Sequence, residues 1–189
     1  NKIRLRHLAL KSKARNIYRL DDTDLFDVFI GSRVLKSEIK NDESGIPVYS
    51  ANVFQPFGTI NKNFMDDFST PSLLWGIDGD WMVNIIPEKI SFYPTDHCGV
   101  IRIKKKRFSI YYLASELLDI GREKRFSRTF RASTERIRDL KITMPEEAEQ
   151  ESFDKFVIST LAEIKSLENE LLKIDAEKNE VLKHNLRKN

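Results

Sequence analysis

The densest group of side chains able to do chemistry lies between Arg122 and Arg138. Arg122, Lys124, Arg125, Arg128 and Arg131 alternate there with Ser127, Thr129, Ser133 and Thr134. Guanidinium and ammonium groups neutralise phosphates, and Arg, Ser, Thr, Asn and Gln hydrogen-bond to base edges. Arg122, Lys124, Arg125, Arg128, Arg131, Ser133 and Thr134 are therefore read as a DNA-contacting loop, the competing assignment being an ordinary solvated loop. Ser50 and Asn52, beside Tyr49, offer a hydroxyl and an amide, although turns use these residues for their own backbone as well. Lys62, Lys104 and Lys105 complete the candidate DNA-binding set.

Other chemistries find less support. Asp27 with Glu38–Ile39–Lys40 has the loose Asp…Glu-x-Lys spacing of metal-dependent nucleases, in which carboxylates hold Mg²⁺ and the lysine assists water. Three residues with a free gap arise easily by chance in a chain that is 32% charged. Asp96 and His97 look like an acid–base pair, but no motif places a nucleophile beside them, and Thr95–Cys98 is read as a turn and strand start. His7, His97, His184 and Cys98 lack zinc-site spacing, so no metal is expected. There is no glycine-rich phosphate loop and no catalytic Asn/Asp-Pro-Pro-Tyr/Phe stretch of the kind adenine methyltransferases carry.

These residues must be carried by an architecture that the patterning outlines. Up to about residue 107, short apolar runs alternate with turns. Phe26–Ile30, Ile46–Tyr49, Thr59–Ile60, Ser72–Ile77, Trp81–Ile86, Ile90–Phe92 and Val100–Ile103 read as strands. Trp75 and Trp81 flank the Asp78–Gly79 turn and are expected to pack the sheet. The period then becomes helical. Ser109 is the expected N-cap, Tyr112, Leu113, Leu117 and Ile120 share one face, and Gly121 is the expected stop. Ser133 or Thr134 caps a short turn, and Leu140, Ile142 and Met144 alternate into Pro145. The predicted fold class is α+β, a β-rich head over residues 18–144 with a basic linker at 1–17.

The remaining stretch, 145–189, contains no glycine and no proline after Pro145. Pro145 suits a first helical position, and the acids of the first turns suit the positive end of the dipole. Phe153, Val157, Thr160, Ile164, Leu167, Leu171, Ile174, Lys178 and Val181 recur in steps of three and four. That is a coiled-coil seam, and some forty residues make a rod of roughly 60 Å. Phe153, Val157, Ile164, Leu167, Leu171, Ile174 and Val181 are the predicted dimerisation contacts, with Lys178 and Asn185 as polar residues that fix register.

Composition sets the remaining bounds. A length of 189 residues suits one core plus the rod. Cys98, the single cysteine, excludes an internal disulfide and fits a reducing cytoplasm. No apolar run approaches the roughly 20 residues of a membrane span. The net charge of +3 is unevenly spread, with basic blocks in the head and acids in the rod. A polyanion partner for one and a protein partner for the other are expected; a coiled-coil adaptor whose basic head binds an acidic protein is the alternative.

The chain resembles the specificity subunit of type I restriction–modification systems, as one target recognition domain followed by one conserved-region helix. Four stretches carry the resemblance in the family's order: Gly45–Ser50, similar to "G-I-P-Y-I"; Leu73–Gly79, an apolar strand ending in a D-G turn; Tyr93–Cys98, similar to "P-T-D-H-C"; and Leu140–Gln150, similar to "L-x-I-P-L-P-x-x-E-Q". Together they span about residues 45–189. Family members carry two recognition domains and two helices in one chain, whereas this sequence holds one copy, as a natural half-subunit or a piece of a longer chain. The resemblance implies that the head enters the major groove of double-stranded DNA and that the helix pairs antiparallel as a spacer between half-sites. It further implies that methyltransferase subunits, with or without a restriction subunit, supply the chemistry. The chain itself would then need no cofactor, with S-adenosylmethionine, Mg²⁺ and ATP on those partners.

Overall fold

The computed structural model describes residues 2–40, 42 and 44–186, with side chains up to 179. In chain order the elements are α1 (Lys2–Lys11), β1 (Asn16–Arg19), β2 (Phe26–Ile30), β3 (Ile46–Tyr49), β4 (Thr59–Ile60), β5 (Ser72–Gly76) and β6 (Val83–Ile86). They continue with β7 (Tyr93–Pro94), β8 (Cys98–Ile103), α2 (Ile110–Glu123), α3 (Thr134–Arg138), β9 (Lys141–Met144) and α4 (Glu147–Leu186). The fold is α+β, as the change of hydrophobic period predicts.

An antiparallel sheet of order β2-β8-β5-β6 forms the body. Every residue of β5 is buried, which explains why Ser72–Gly76 reads as an unbroken apolar run, not an alternation. One face of the sheet packs on α2 through Leu73, Trp75, Ile101, Leu113 and Leu117. The other covers a smaller cluster of Val53, Leu74, Phe92 and Val100. A side sheet of order β4-β3-β7 contains one parallel pair, β3 with β7. Ile90–Phe92, expected as a strand, is irregular; the ladder runs instead through Tyr93 and Pro94, which face Val48 and Tyr49.

Ser109 caps α2 as expected, its hydroxyl accepting from the Tyr112 N–H at 2.9 Å. Gly121 does not end the helix, which continues to Glu123. A Cβ there would lie 2.1 Å from the Trp81 ring, so this glycine serves a close approach, not a turn. The helix closes instead on Arg125, at φ 58°. The Phe126 N–H bonds to the Gly121 carbonyl and the Arg125 N–H to the Arg122 carbonyl, the paired bonds of a Schellman ending.

The N-terminal segment differs most from expectation. Residues 1–17 read as a linker because scattered leucines formed no face. Instead, α1 docks on α2 and α4, and β1 pairs antiparallel with β9. The contact is largely polar, which is why apolar periodicity could not reveal it. His7 is fully buried, with Nε2 at 3.0 Å from Glu116 and Nδ1 at 3.3 Å from Asp119. Lys11 reaches Glu116 at 3.1 Å and Arg4 reaches Asp119 at 2.9 Å. Arg6 lies 4.6 Å above the Phe156 ring and bonds to Ser152.

The rod helix begins at Glu147, two residues after the expected Pro145 start. Its first turns are built into the head. Gln150 Oε1 accepts from the Ser109 N–H at 2.8 Å and its Nε2 donates to the Pro145 carbonyl at 2.8 Å, while Asp154 accepts from the Ser109 hydroxyl. Phe153 and Val157, predicted as dimerisation contacts, are core residues of the head instead. Beyond them Ile164, Leu167, Leu171 and Ile174 are all exposed. The side chain of Val181 and those of Lys183, His184, Asn185, Arg187 and Lys188 lie outside the described residues.

Candidate nucleic-acid interface

Antiparallel pairing decides which loops meet. Ile30 faces Gly99, Gly76 faces Cys98, and Trp75 faces Val83. The loops at 31–35, 77–82 and 95–97 therefore leave the sheet at one end. Two further loops are pinned there. The Thr95 N–H bonds to the Tyr49 carbonyl at 2.9 Å, and a Cβ on Gly76 would lie 2.3 Å from the Ala51 carbonyl oxygen, which brings in the segment after β3. The Ala132 N–H bonds to the Ile77 carbonyl at 2.9 Å, and the buried Trp75 indole donates to the Ala132 carbonyl at 2.9 Å, which brings in the loop before α3.

At this end Asp78 collects two partners. His97 Nδ1 lies 2.9 and 3.1 Å from its carboxylate oxygens, and Arg131 lies 3.5 Å away. Gly79, at φ +98°, permits the turn that presents Asp78. Asp96 is 4.0 Å from His97 Nε2. Ser50 accepts from the Thr95 hydroxyl at 3.1 Å. Asn52 Oδ1 accepts from the Phe54 and Gln55 N–H groups, so it shapes its own turn and leaves only the amide nitrogen for a ligand. Arg33, Val34, Ser50, Phe57, Thr95, Asp96 and His97 line an open cleft of about 330 Å³.

The predicted basic set is not one surface. Ser50, Asn52 and Arg131 share the loop end, with Ser133 close behind; the Ser133 hydroxyl accepts from the Arg136 N–H and caps α3, whose first residue is Thr134. Arg128 is exposed on the same loop. Arg122 turns toward α1, 3.4 Å from Asp119, and Lys124 and Arg125 close α2. Lys104 and Lys105 follow β8 at its far end, about 20 Å from His97 at the rise of an extended strand. There Lys104 pairs with Asp27 at 2.8 Å and donates to the Thr23 carbonyl. Lys62 pairs with Glu38 at 2.5 Å and lies 5.6 Å from the Tyr93 ring centre. The Lys62 ammonium holds the Glu38 carboxyl below its ordinary value.

Asp27, Glu38 and Lys40 are therefore engaged separately, the first two with their own lysines and Lys40 in a backbone bridge to Thr59. Among the described residues no group of three or more His, Cys, Asp or Glu side chains is arranged to hold a metal. Elsewhere, hydrogen bonds from Ser69, then the Arg102 guanidinium, bring the Asp67 carboxyl down to about 2. Burial pushes the Cys98 thiol up, which fits an inert core residue. Sequence reasoning flagged the Asp78–Gly79 turn and the Thr95–Cys98 run only as structure. Their side chains meet across the sheet, and no local spacing signals that.

A family model, the type I restriction modification DNA specificity domain, matches residues 18–177. The chain belongs to this family. Solved structures share the fold. The S subunit of the type I restriction–modification system from M. genitalium is 12% identical with a TM-score of 0.62, matching 90% of this chain and 51% of its own. The HsdS subunit from Thermoanaerobacter tengcongensis is 12% identical with a TM-score of 0.62, over 86% and 44%. A chain from a study of complex assembly and conformational transition of the type I R-M system is 14% identical with a TM-score of 0.65, over 92% and 47%. The chain thus spans about half the length of these structures. No curated protein matches it in a sequence search. Among the described residues no helix is long and apolar enough to cross a membrane.

Proposed function

We propose that this chain is one reading half of a type I specificity subunit, and that its head binds one half of a bipartite site in double-stranded DNA. The observation that carries this is the pairing of two features in a chain of the specificity-domain family. One is the cluster of polar loops at a single end of the main sheet. The other is a helix whose apolar stripe is exposed beyond the head, at Ile164, Leu167, Leu171 and Ile174. A stripe of that spacing is satisfied by another long helix. Its counterpart, running antiparallel, would set the distance to the second half-site.

On this proposal the chain is non-catalytic. Methyltransferase subunits, and a restriction subunit where one is present, dock on the paired helices and the heads. They bring S-adenosylmethionine, Mg²⁺ and ATP, and the assembly works in the cytoplasm. The test is selection of bound duplexes from a random-sequence pool, with the chain alone and with the methyltransferase subunits of a type I system. A split motif with a fixed gap is expected, together with a steep loss of affinity as salt rises. Binding without any enriched motif, in both formats, would overturn the proposal.

A further inference from the structure

We propose that Arg131 reads a guanine through the major groove, and that Asp78 is the positioning residue that aims it. This rests on the DNA-reading role proposed above and names a residue and a base for it.

The loop that carries Arg131 is held at both ends and in the middle. The Phe130 carbonyl accepts from the Ser127 N–H at 3.0 Å, and the Phe130 N–H donates to the Ser127 hydroxyl at 3.3 Å. The Arg131 carbonyl accepts from the Arg136 guanidinium at 2.7 Å. Ala132 is bonded through both its N–H, to Ile77, and its carbonyl, from the Trp75 indole. Phe130 stacks on Phe126, their ring centres 5.7 Å apart, and lies 4.1 Å under Arg136. The Arg131 side chain is 52% exposed on this fixed backbone, with its tip 3.5 Å from the Asp78 carboxylate. An arginine tethered at root and tip loses less rotamer freedom on binding than one that is free. Arg125 and Arg128 have no side-chain partner among the described residues and lack that preorganisation.

The chemistry selects a base over a phosphate. A phosphate beside Arg131 would also face the Asp78 carboxylate, with Asp96 on the other side of His97. The Asp78 carboxylate, already paired with Arg131, weakens the pull of that guanidinium on an anion. The guanine edge offers O6 and N7, two neutral acceptors, and a guanidinium fills both at once. Asp78 pairs with Arg131 through one Nη at 3.5 Å, and the other N–H groups of the fork have no partner among the described residues. His97, held 2.9 Å from the same carboxylate, fixes the position of Asp78 in turn. Acidic support behind a reading arginine is the same device that orients metal ligands from behind, and its loss misplaces the group without removing it.

The experiment is selection from the random duplex pool with the wild-type chain and the Arg131→Ala, Arg131→Lys and Asp78→Asn variants, each checked by thermal unfolding. The wild type should enrich a motif that includes an invariant guanine. Arg131→Ala should keep the other positions, lose the guanine preference, and bind the cognate duplex roughly ten- to a hundred-fold more weakly. Its salt dependence should stay unchanged, whereas loss of a phosphate contact would lower the slope by about one. Arg131→Lys keeps the charge and the Asp78 ion pair but cannot form the fork, so it should lose the same preference, and it decides the matter if Arg131→Ala does not fold. Asp78→Asn should weaken preference at that position alone. A guanine preference that survives in Arg131→Ala or Arg131→Lys overturns this assignment while the DNA-reading role stands. Failure of the wild type to enrich any motif, both alone and with the methyltransferase subunits, overturns both.

Discussion

The two ends of α4 carry the same seam and meet opposite fates. Phe153 is 0% exposed, wedged against His7 and Tyr112 with ring centres at 6.3 and 5.5 Å. Leu167 and Leu171, continuing the same three-four spacing, are 57% and 59% exposed. Nothing in the spacing distinguishes them. What differs is whether α1 and α2 lie alongside. The first turns are bolted to the head through Gln150, Asp154 and Ser152, and the rest extends past the last surface the head can offer. One helix thus does two things in series: it completes a domain core and then carries an apolar stripe that is exposed in the single chain. The first turns of the rod are part of the head's own core, which fits the spacer role proposed above.

That contrast can be broken in order of expected effect on the head. Phe153→Ala removes a fully buried ring and should cost about 3–5 kcal/mol of head stability, read as a large fall in thermal midpoint. If the midpoint barely moves, Phe153 belongs to the partner seam after all. Gln150→Ala leaves the buried Ser109 N–H without its acceptor and should cost about 1–3 kcal/mol in denaturant unfolding. A cost as large as that of Phe153→Ala would mean that the polar bolt, not the ring, holds the junction.

The third prediction concerns pH. Burial pushes the Glu116 carboxyl up, but the bond from His7, the Lys11 ammonium and the Thr143 N–H together outweigh it and hold it below its ordinary 4.5. A carboxyl whose pKa is lower in the folded chain than in the unfolded one adds stability above the unfolded value. That contribution is lost as the pH falls through the folded value. Docking of α1, and with it the cover over Phe153, should therefore loosen under acid below about pH 4.5. Amide exchange in α1 against pH measures it, and Glu116→Gln should flatten the acid limb. An unchanged limb in that variant would place the acid sensitivity elsewhere.

The smallest effect on the head belongs to the far seam. Leu167→Glu with Leu171→Glu should change head stability by no more than about 0.5 kcal/mol, because both sites are exposed in the single chain. In analytical ultracentrifugation, however, the pair should abolish assembly through the rod. Persistence of the oligomer would refute the exposed stripe as the pairing surface.

Much of the fold was legible because it is written locally. The strands at Phe26–Ile30, Ile46–Tyr49 and Ser72–Gly76, the Ser109 cap and the Ser133 cap all follow from period and short-range chemistry. α1 was not legible. Its interface is made by His7, Arg4 and Lys11 against Glu116 and Asp119, and charged residues in a sequence look like surface until their partners are known. The loop end of the sheet was legible only in part. Ser50, Asn52 and Arg131 were named from residue type, while Lys104 and Lys105 were named for the same reason and lie at the opposite end of β8.

By itself, the sequence determined most of the strands and helices after residue 25, the long terminal helix and its apolar stripe, and the family to which the chain belongs. These rest on periodicities and on motifs a few residues long, which neighbours along the chain specify. Only the tertiary structure decided which part of that stripe the head consumes, that Asp78 draws His97 and Arg131 together, and that the basic residues fall on separate surfaces. Those outcomes depend on sheet order and on where loops emerge from it. They couple residues far apart in the chain, and a spacing pattern carries no information at that range.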